Sequence, residues 1–420
     1  MIRIDEIYNN TFWPYIEQNR PGTRVFFCDP PGRTDPEHLF NLGTDDVIEN
    51  SYVFMHDQEP VDLELFRPLF DEAFKRNVDL SFQVIPGYPP NSTVWPTDHF
   101  RQEYLRHLQD PDNAPYNLYS ALPEQYRQWY RSNPAQLKNP GHVIVSERGE
   151  SVEQMCEQYM WTAHYYFYHG WACMDWFRGY DQTYLIARAR DRKPTRTFMS
   201  PNRIVAGKRD HRVLFLYNVF KNGLENNHIS APRTCQYEGV DISVIASKYN
   251  NTYPDIEQVF ETAELPRLFA GEDTQLMHSY QLGNFAEAAD SMIYVPTETV
   301  YFGSRTHLTE KTFKAIALEM PFVLVAPAHS LRYLREYGFR TFAPYIDESY
   351  DTITDDIKRI EAVTAILLEI QARSAAAKNQ LWQQLLPIVE HNYNHFYRGG
   401  FRDILEVELK QMLKNLCGAL

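Results

Sequence analysis

Residues 294–324 read Tyr-Val-Pro-Thr-Glu-Thr-Val-Tyr-Phe-Gly-Ser-Arg-Thr-His-Leu-Thr-Glu-Lys-Thr-Phe-Lys-Ala-Ile-Ala-Leu-Glu-Met-Pro-Phe-Val-Leu. The stretch begins as a strand end and passes into a polar loop. Phe313, Ile316, Ala317 and Met320 then recur at i, i+3, i+4 and i+7, one apolar face of a helix. Thr309 stands at the cap position, which puts Glu310 and Lys311 in the first turn. Pro321 is expected to end the helix, since proline removes a donor and clashes with the turn before it. Phe322–Ala326 reads as a buried strand. Strand, helix and strand in this order predict a parallel α/β sheet with the helix start beside it.

A helix start beside a sheet favours phosphate, through its free N–H groups and its dipole. Lys311 adds a positive charge there. Glu310 repels phosphate, so it needs another task, and a first-turn carboxylate accepts hydrogen bonds from ribose or sugar hydroxyls. One short segment thus suits both ends of a nucleotide-sugar. A capped helix with two solvated charges remains the plainer reading.

Glu298, followed by Thr309-Glu310-Lys311 opening a helix, a proline and an apolar strand, resembles the donor-binding segment of GT-B glycosyltransferases of the fucosyltransferase type. It is also similar to glycosyltransferase-like proteins encoded by phages. The resemblance runs from Asp290 to Asp351. It implies that Glu310 contacts the nucleotide-sugar and Lys311 its phosphates, with Thr309, Arg305 and Glu298 beside them. It implies a GT-B-like fold: two Rossmann-like domains facing a central cleft, with a C-terminal helix crossing back. The domains expected are 1–195 on the acceptor side, 196–395 for the donor, and a terminal helix at 396–420.

Composition sets the bounds. The 420 residues suffice for two cores. Hydrophobic residues make up 44% and aromatics 14%, with 28 Tyr and 25 Phe, which suits packed cores as well as sugar-binding clefts. A net charge of −14 argues against broad nucleic-acid binding, though a local basic patch would override it. No apolar run is long enough for a membrane span, and the N-terminus lacks the apolar core of a signal peptide. Five scattered cysteines, Cys28, Cys156, Cys173, Cys235 and Cys417, with no C-x-x-C fit reduced thiols in a cytoplasm, that of the host if the protein is phage-encoded.

In the first half, Thr23–Cys28, Ser51–Met55, Leu80–Ile85 and His142–Ser146 read as strands and Val61–Arg76 as a helix. The second strand runs straight into His56-Asp57-Gln58-Glu59, the edge at which open α/β sheets bind ligands. Glu59 and Asp57 are the candidate general bases for an acceptor hydroxyl; an N-cap and a first-turn acid is the alternative. Residues 86–140, rich in Pro and Asn, read as an insertion. Met155–Tyr180 is the most aromatic part. His56, His169, Asp175 and Arg178 are acceptor-side candidates, next to the alternative of a packed aromatic layer. His164, His169 and Cys173 lack a fourth metal ligand at suitable spacing. Arg188–Arg196 holds five basic residues and reads as a solvated linker or as a basic rim for an anionic acceptor such as DNA.

In the second half, His211–Tyr217 and Val240–Ile245 read as strands. The turn after the first lacks G-x-G-x-x-G spacing but resembles the first strand-to-loop junction of a GT-B donor domain. Asn218, Lys221 or Arg233 would meet the donor phosphates there. His278–Ala289 reads as a helix feeding the strand Ser291–Val295. Ser330–Tyr337, Ile353–Ala375, Ala377–Tyr393 and Phe401–Leu416 read as helices, and Phe339–Phe342 as a short strand. The one D-x-D, Asp110–Asp112, sits in a Pro-rich loop, so no essential metal is expected.

The resemblance implies a hexosyl- or pentosyltransferase, expected to be inverting, that uses a UDP- or GDP-linked co-substrate and no cofactor. The acceptor expected is either a hydroxymethylated base in phage DNA or a glycan. A noncatalytic nucleotide-binding or structural phage protein of similar fold is the second class of reading.

Overall fold

The computed structural model describes residues 7–19, 24–27, 52–56, 142–159, 162–183, 186–205, 207–235, 239–269 and 282–419. The helix expected at 61–76, the strand at 80–85, the insertion, and Asp57 and Glu59 lie outside the described residues. The architecture is mixed α/β, with small parallel sheets and many helices. The chain divides into two compact units, one of Ile2–Trp171 with Leu405–Leu420, the other of Ala172–Ile404.

The first unit opens with α1 (Trp13–Asn19). Its sheet consists of β1 (Arg24–Phe27), β2 (Tyr52–His56), β3 (His142–Val145) and β4 (Thr162–Tyr165). All pairings are parallel and the spatial order follows the sequence, with Phe26 opposite Phe54, Phe54 opposite Val143, and Ile144 opposite His164. Parallel neighbours require a crossover, and α2 (Glu150–Tyr159) supplies the one between β3 and β4. Val143, Ile144 and Val145 are wholly buried, as befits a parallel strand covered on both faces. Helix α3 (Tyr168–Trp176) follows β4.

The second unit holds β5 (Arg196–Ser200), α4 (His211–Lys221), β6 (His228–Ile229), α5 (Ile242–Ala246), α6 (Ile256–Thr262), α7 (Phe285–Asp290) and β7 (Ser291–Tyr294). Its sheet runs β6-β5-β7, all parallel. The buried segment Phe322–Ala326 extends it through parallel bridges, Phe322 to Tyr294 and Val325 to Thr297. Next come α8 (Glu310–Ala317), α9 (Ser330–Glu336), α10 (Asp356–Ala372) and α11 (Ala375–Tyr397). The last helix is α12 (Gly400–Ala419). In the first unit its Leu405, Leu409, Met412, Leu413 and Leu416 form a buried stripe. There Glu408 accepts a hydrogen bond from the Phe167 N–H at 2.6 Å. No helix among the described residues is long and apolar enough to cross a membrane.

Four expectations are corrected. His211–Tyr217 is helical: every residue from His211 to Val219 is buried, and an apolar run hidden on all sides has no strand or helix period of its own. Gly223, at φ 69°, lies just beyond its end. Val240–Ile245 is largely α5, opened by Asp241, whose side chain accepts from the Ser243 N–H at 2.9 Å. Phe339–Phe342 forms no strand. The Asn392 amide takes the place of a neighbouring strand, accepting from the Arg340 N–H and donating to the Arg340 carbonyl, each at 2.8 Å. Pro321 does not stop α8. The helix ends at Ala317, and Glu319 turns the chain at φ 51°, a left-handed conformation unusual for a residue with a Cβ.

A glycine also marks the end of α9. Gly338 sits at φ 84°, and a Cβ there would come within 2.7 Å of His395 Nε2, so glycine is required twice over. Around this point Phe313, Phe339, Phe396 and Phe401 pack ring to ring, with centroids 4.9–6.2 Å apart. This cluster anchors the apolar face of α8 that the sequence pattern marked out.

Candidate functional site

The carboxyl ends of β5 and β7 lie side by side and carry short polar residues. Asn202 donates to Ser200 and accepts from the Thr297 hydroxyl at 2.9 Å, while the Ser200 hydroxyl donates to the Val295 carbonyl. This buried lattice fixes the chain as it leaves β7 and delivers Glu298 to the start of α8.

Glu298 is fully buried. Its carboxylate accepts from the Thr309 and Thr312 hydroxyls, both at 2.6 Å, and from the Thr309 and Thr312 N–H groups, both at 3.2 Å. A buried carboxylate survives only when so satisfied. Glu298, not Thr309, is therefore the side-chain cap of α8: the Thr309 hydroxyl makes no cap bond and points its proton at Glu298. The carboxylate also faces the positive end of the helix dipole. The anion position expected for a phosphate at the Thr312 N–H is thus filled from within the chain.

Lys311 and Glu310 flank that filled position. The Lys311 ammonium donates to the Glu310 carboxylate at 2.8 Å, to Thr299 at 2.9 Å and to Thr309 at 3.3 Å. The Lys311 side chain is 24% exposed and that of Glu310 10%. Glu298, Thr309, Glu310 and Lys311 are therefore brought together. Arg305 lies half-buried in the connection that links them.

Two residues of α4 that the sequence did not single out complete the frame. Arg212 donates to the carbonyls of Thr297 at 2.9 Å, Glu298 at 3.2 Å and Ile204 at 2.7 Å. Burial, with Arg209 nearby, pulls its guanidinium down to about 9, still charged at neutral pH. His211 Nε2 lies 3.1 Å from the Glu298 carbonyl, and burial drives the imidazole well below its ordinary value. The ring is neutral, and Nε2 carries the proton because a carbonyl requires a donor. Tyr301 stacks on His211 at 4.8 Å with rings 10° apart, and the buried Arg359 guanidinium covers the Tyr301 ring at 4.4 Å. The run Asp210-His211-Arg212 would have flagged this frame only if it had been recognised as a helix start.

Asn218 and Lys221 fall at the far end of α4, not at a strand-to-loop junction, because the segment before them is a helix. Asn218 donates back to Leu214, and Lys221 pairs with Asp255. Arg233 donates to the carbonyls of Phe260 and Ala263 at the end of α6. The true junction after β5 is 201–210. There Arg209 pairs with no carboxylate among the described residues.

Arg188–Arg196 is neither a solvated linker nor a continuous basic rim. Arg188 forms a two-pronged pair with the buried Glu319 carboxylate, 2.7 Å on one side, and the Ala189 N–H adds a third bond at 3.0 Å. Arg192 donates to the carbonyls of Leu318 at 2.7 Å and Glu319 at 3.2 Å, closing the C-terminal end of α8. Burial lowers its guanidinium to about 10. Arg196 donates to the Asn226 carbonyl. Arg190 and Lys193 remain exposed.

His56 is the last residue of β2, and Asp57 and Glu59 follow it outside the described residues. His169 is buried in the first unit, edge-on to Tyr168 at 5.5 Å. Asp175 and Arg178, in the second unit, form an ion pair at 2.5 Å one helical turn apart. Among the described residues no three His, Cys, Asp or Glu side chains come together as a metal site.

No protein-family model matches the chain, and no curated protein matches it. Among solved structures it is similar to a glycosyltransferase from Rickettsia africae ESF-5, at 10% identity and a TM-score of 0.33, covering 93% of this chain and 98% of that one.

Proposed function

We propose that this chain is a glycosyltransferase that moves a sugar from a UDP- or GDP-linked donor to an acceptor hydroxyl, the donor seated at the carboxyl edge of the second unit's sheet. Lys311 carries the reading. A helix start repels cations, and Glu298 already satisfies this one. Yet Lys311 folds back over the first turn, three parts covered, with its ammonium held by Thr299, Thr309 and Glu310. The ammonium offsets the buried carboxylates of Glu298 and Glu310, and its remaining exposed side is placed to meet a diphosphate. The likeness of Thr309-Glu310-Lys311 to the fucosyltransferase-type segment points the same way.

In this reading the diphosphate lies against the Lys311 side of the α8 start and toward the 201–210 connection, because Glu298 has taken the Thr312 N–H. Negative charge grows on the leaving nucleoside diphosphate, and Lys311 stabilises it where it forms. Asp57 or Glu59 removes the acceptor proton, and a single displacement inverts the anomeric carbon. A GT-B arrangement follows from the same resemblance. Arg188 and Arg192 are spent inside the protein, so a glycan hydroxyl suits the described surface better than a base in duplex DNA, which must also be flipped out.

The test is nucleotide release from a panel of UDP- and GDP-sugars, alone and with glycan or hydroxymethylcytosine DNA as acceptor. The wild type is expected to release nucleotide from at least one donor, and Lys311→Ala to lose on the order of 3 kcal/mol of transition-state stabilisation, about a hundredfold in rate. Full turnover by Lys311→Ala, or no release from any donor, contradicts the proposal. Transfer to the DNA reassigns the acceptor.

A further inference from the structure

Arg359 is buried on α10. It donates to the carbonyls of Tyr301 at 3.1 Å, Ala326 at 3.0 Å and Ile353 at 2.7 Å, and to the Asp356 carboxylate at 2.6 Å. Its guanidinium and the His211 ring both lie against the Tyr301 ring, and the Tyr301 hydroxyl donates to the Asp356 carbonyl at 2.7 Å. The turn after Tyr301 is thus tied to the starts of α4 and α10 and to the end of the segment Phe322–Ala326. Phe302 stands edge-on to Tyr301 at 5.4 Å and to His211 at 5.9 Å. Unlike them it is only half-buried, and Gly303 and Ser304 beside it are exposed. A single exposed phenylalanine needs no explanation. One fixed by a buried guanidinium and two packed rings is a rigid platform, and it stands at the edge where open α/β sheets bind ligands.

The two ends of this loop differ in charge. At one end Thr299 holds the Lys311 ammonium at 2.9 Å. Phe302 follows three residues on, at most about 11 Å of chain. Next to it the Gly303 N–H meets Asp356 Oδ2 at 3.4 Å, a long bond that leaves this oxygen able to accept from a further donor. The Asp356 side chain is 26% exposed. A nucleotide has the matching polarity, with phosphates at one end and the N–H groups of a flat base at the other. Resting on the glycosyltransferase reading above, we infer that Phe302 and Asp356 form the nucleobase subsite of the donor, and that the base is guanine. The base stacks on the Phe302 ring, and a purine covers it more fully than a pyrimidine. Guanine carries its N1–H and N2–H2 donors side by side, which suits a carboxylate. Uracil has one N–H between two carbonyl oxygens, and a carboxylate repels both.

Titration calorimetry with GDP, UDP and inorganic pyrophosphate measures the subsite on wild type, Phe302→Leu and Asp356→Asn, with circular dichroism to establish that each variant is folded. The wild type should bind GDP at least about tenfold more tightly than UDP, a comparison that needs no variant. Phe302→Leu should weaken GDP about tenfold, the scale of one base–aromatic stack, and leave pyrophosphate, which has no base, unchanged. Asp356→Asn should narrow the preference for GDP over UDP severalfold, because a charged acceptor is lost. If UDP binds as tightly as GDP, or if Phe302→Leu leaves GDP unchanged or weakens pyrophosphate equally, the guanine subsite is refuted while the glycosyltransferase reading stands. If the wild type binds none of the three probes, both are refuted.

Discussion

Glu298 and Lys311 sit a few ångströms apart with opposite tasks. The carboxylate is wholly internal, and four donors from Thr309 and Thr312 converge on it. Glu298→Ala is expected to cost about 3 kcal/mol of stability, because it strands those buried donors; urea unfolding measures it, and a loss below about 0.5 kcal/mol would show that the donors find other partners. The sequence made Thr309-Glu310-Lys311 visible as the opening of a helix. It did not reveal that the cap comes from Glu298, since an intervening loop brings the carboxylate back and no local spacing records that closure. A second residue-scale device lies in the first unit, where His142 Nδ1 and His164 Nε2 share a buried hydrogen bond at 2.8 Å. Burial lowers each imidazole to about 4. Unfolded, these rings take up protons near pH 6.5. Their contribution to stability is therefore complete above pH 6.5 and is lost as pH falls toward 4. Urea midpoints of the wild type should fall between pH 7 and pH 5, and His142→Gln/His164→Gln should flatten that slope; an unchanged slope would remove the pair from the account.

Among the elements, α8 is held at both ends by buried charge of the sign its dipole prefers. Glu298 sits at the start, and Arg192, on the carbonyls of Leu318 and Glu319, sits at the end. Arg188 holds the Glu319 carboxylate where the chain turns left-handed. Replacing Arg192 with Met keeps the stem and removes the donors, and about 2 kcal/mol should be lost in urea unfolding. Arg190→Met, two residues away at a side chain 73% exposed, should change stability by less than about 0.5 kcal/mol. Equal effects would mean that the basic stretch is surface after all. Charge counting made this stretch look like one feature, yet its residues have separate fates, because burial of Arg188 and Arg192 depends on Glu319, distant in sequence. Helix α4 was misread for a related reason. Its apolar run is buried on every side, and only the Gly223 stop beyond its end distinguishes it from a strand in the sequence. The helices α9 to α12, each with a polar face or a clear cap, were legible almost to their ends.

At the scale of the molecule, β1, β2, β3 and β7 could be read from apolar runs separated by turn residues, but β4, β5 and β6 could not, because they are short and carry polar residues; the pairing of β5 with β7 places Asn202, Thr297 and Glu298 at one edge. With Arg188 and Arg192 turned inward, the stretch Arg188–Arg196 offers no continuous basic face of the kind that duplex DNA requires. Placement of the diphosphate is the claim on which the rest turns. A crystal structure with a bound, unhydrolysed UDP- or GDP-sugar measures it most directly. The prediction is a diphosphate oxygen about 3 Å from Lys311 Nζ, with the Glu310 carboxylate turned to a hydroxyl of the ligand. A nucleotide bound elsewhere, with Lys311 still held by Glu310, Thr299 and Thr309, would contradict it.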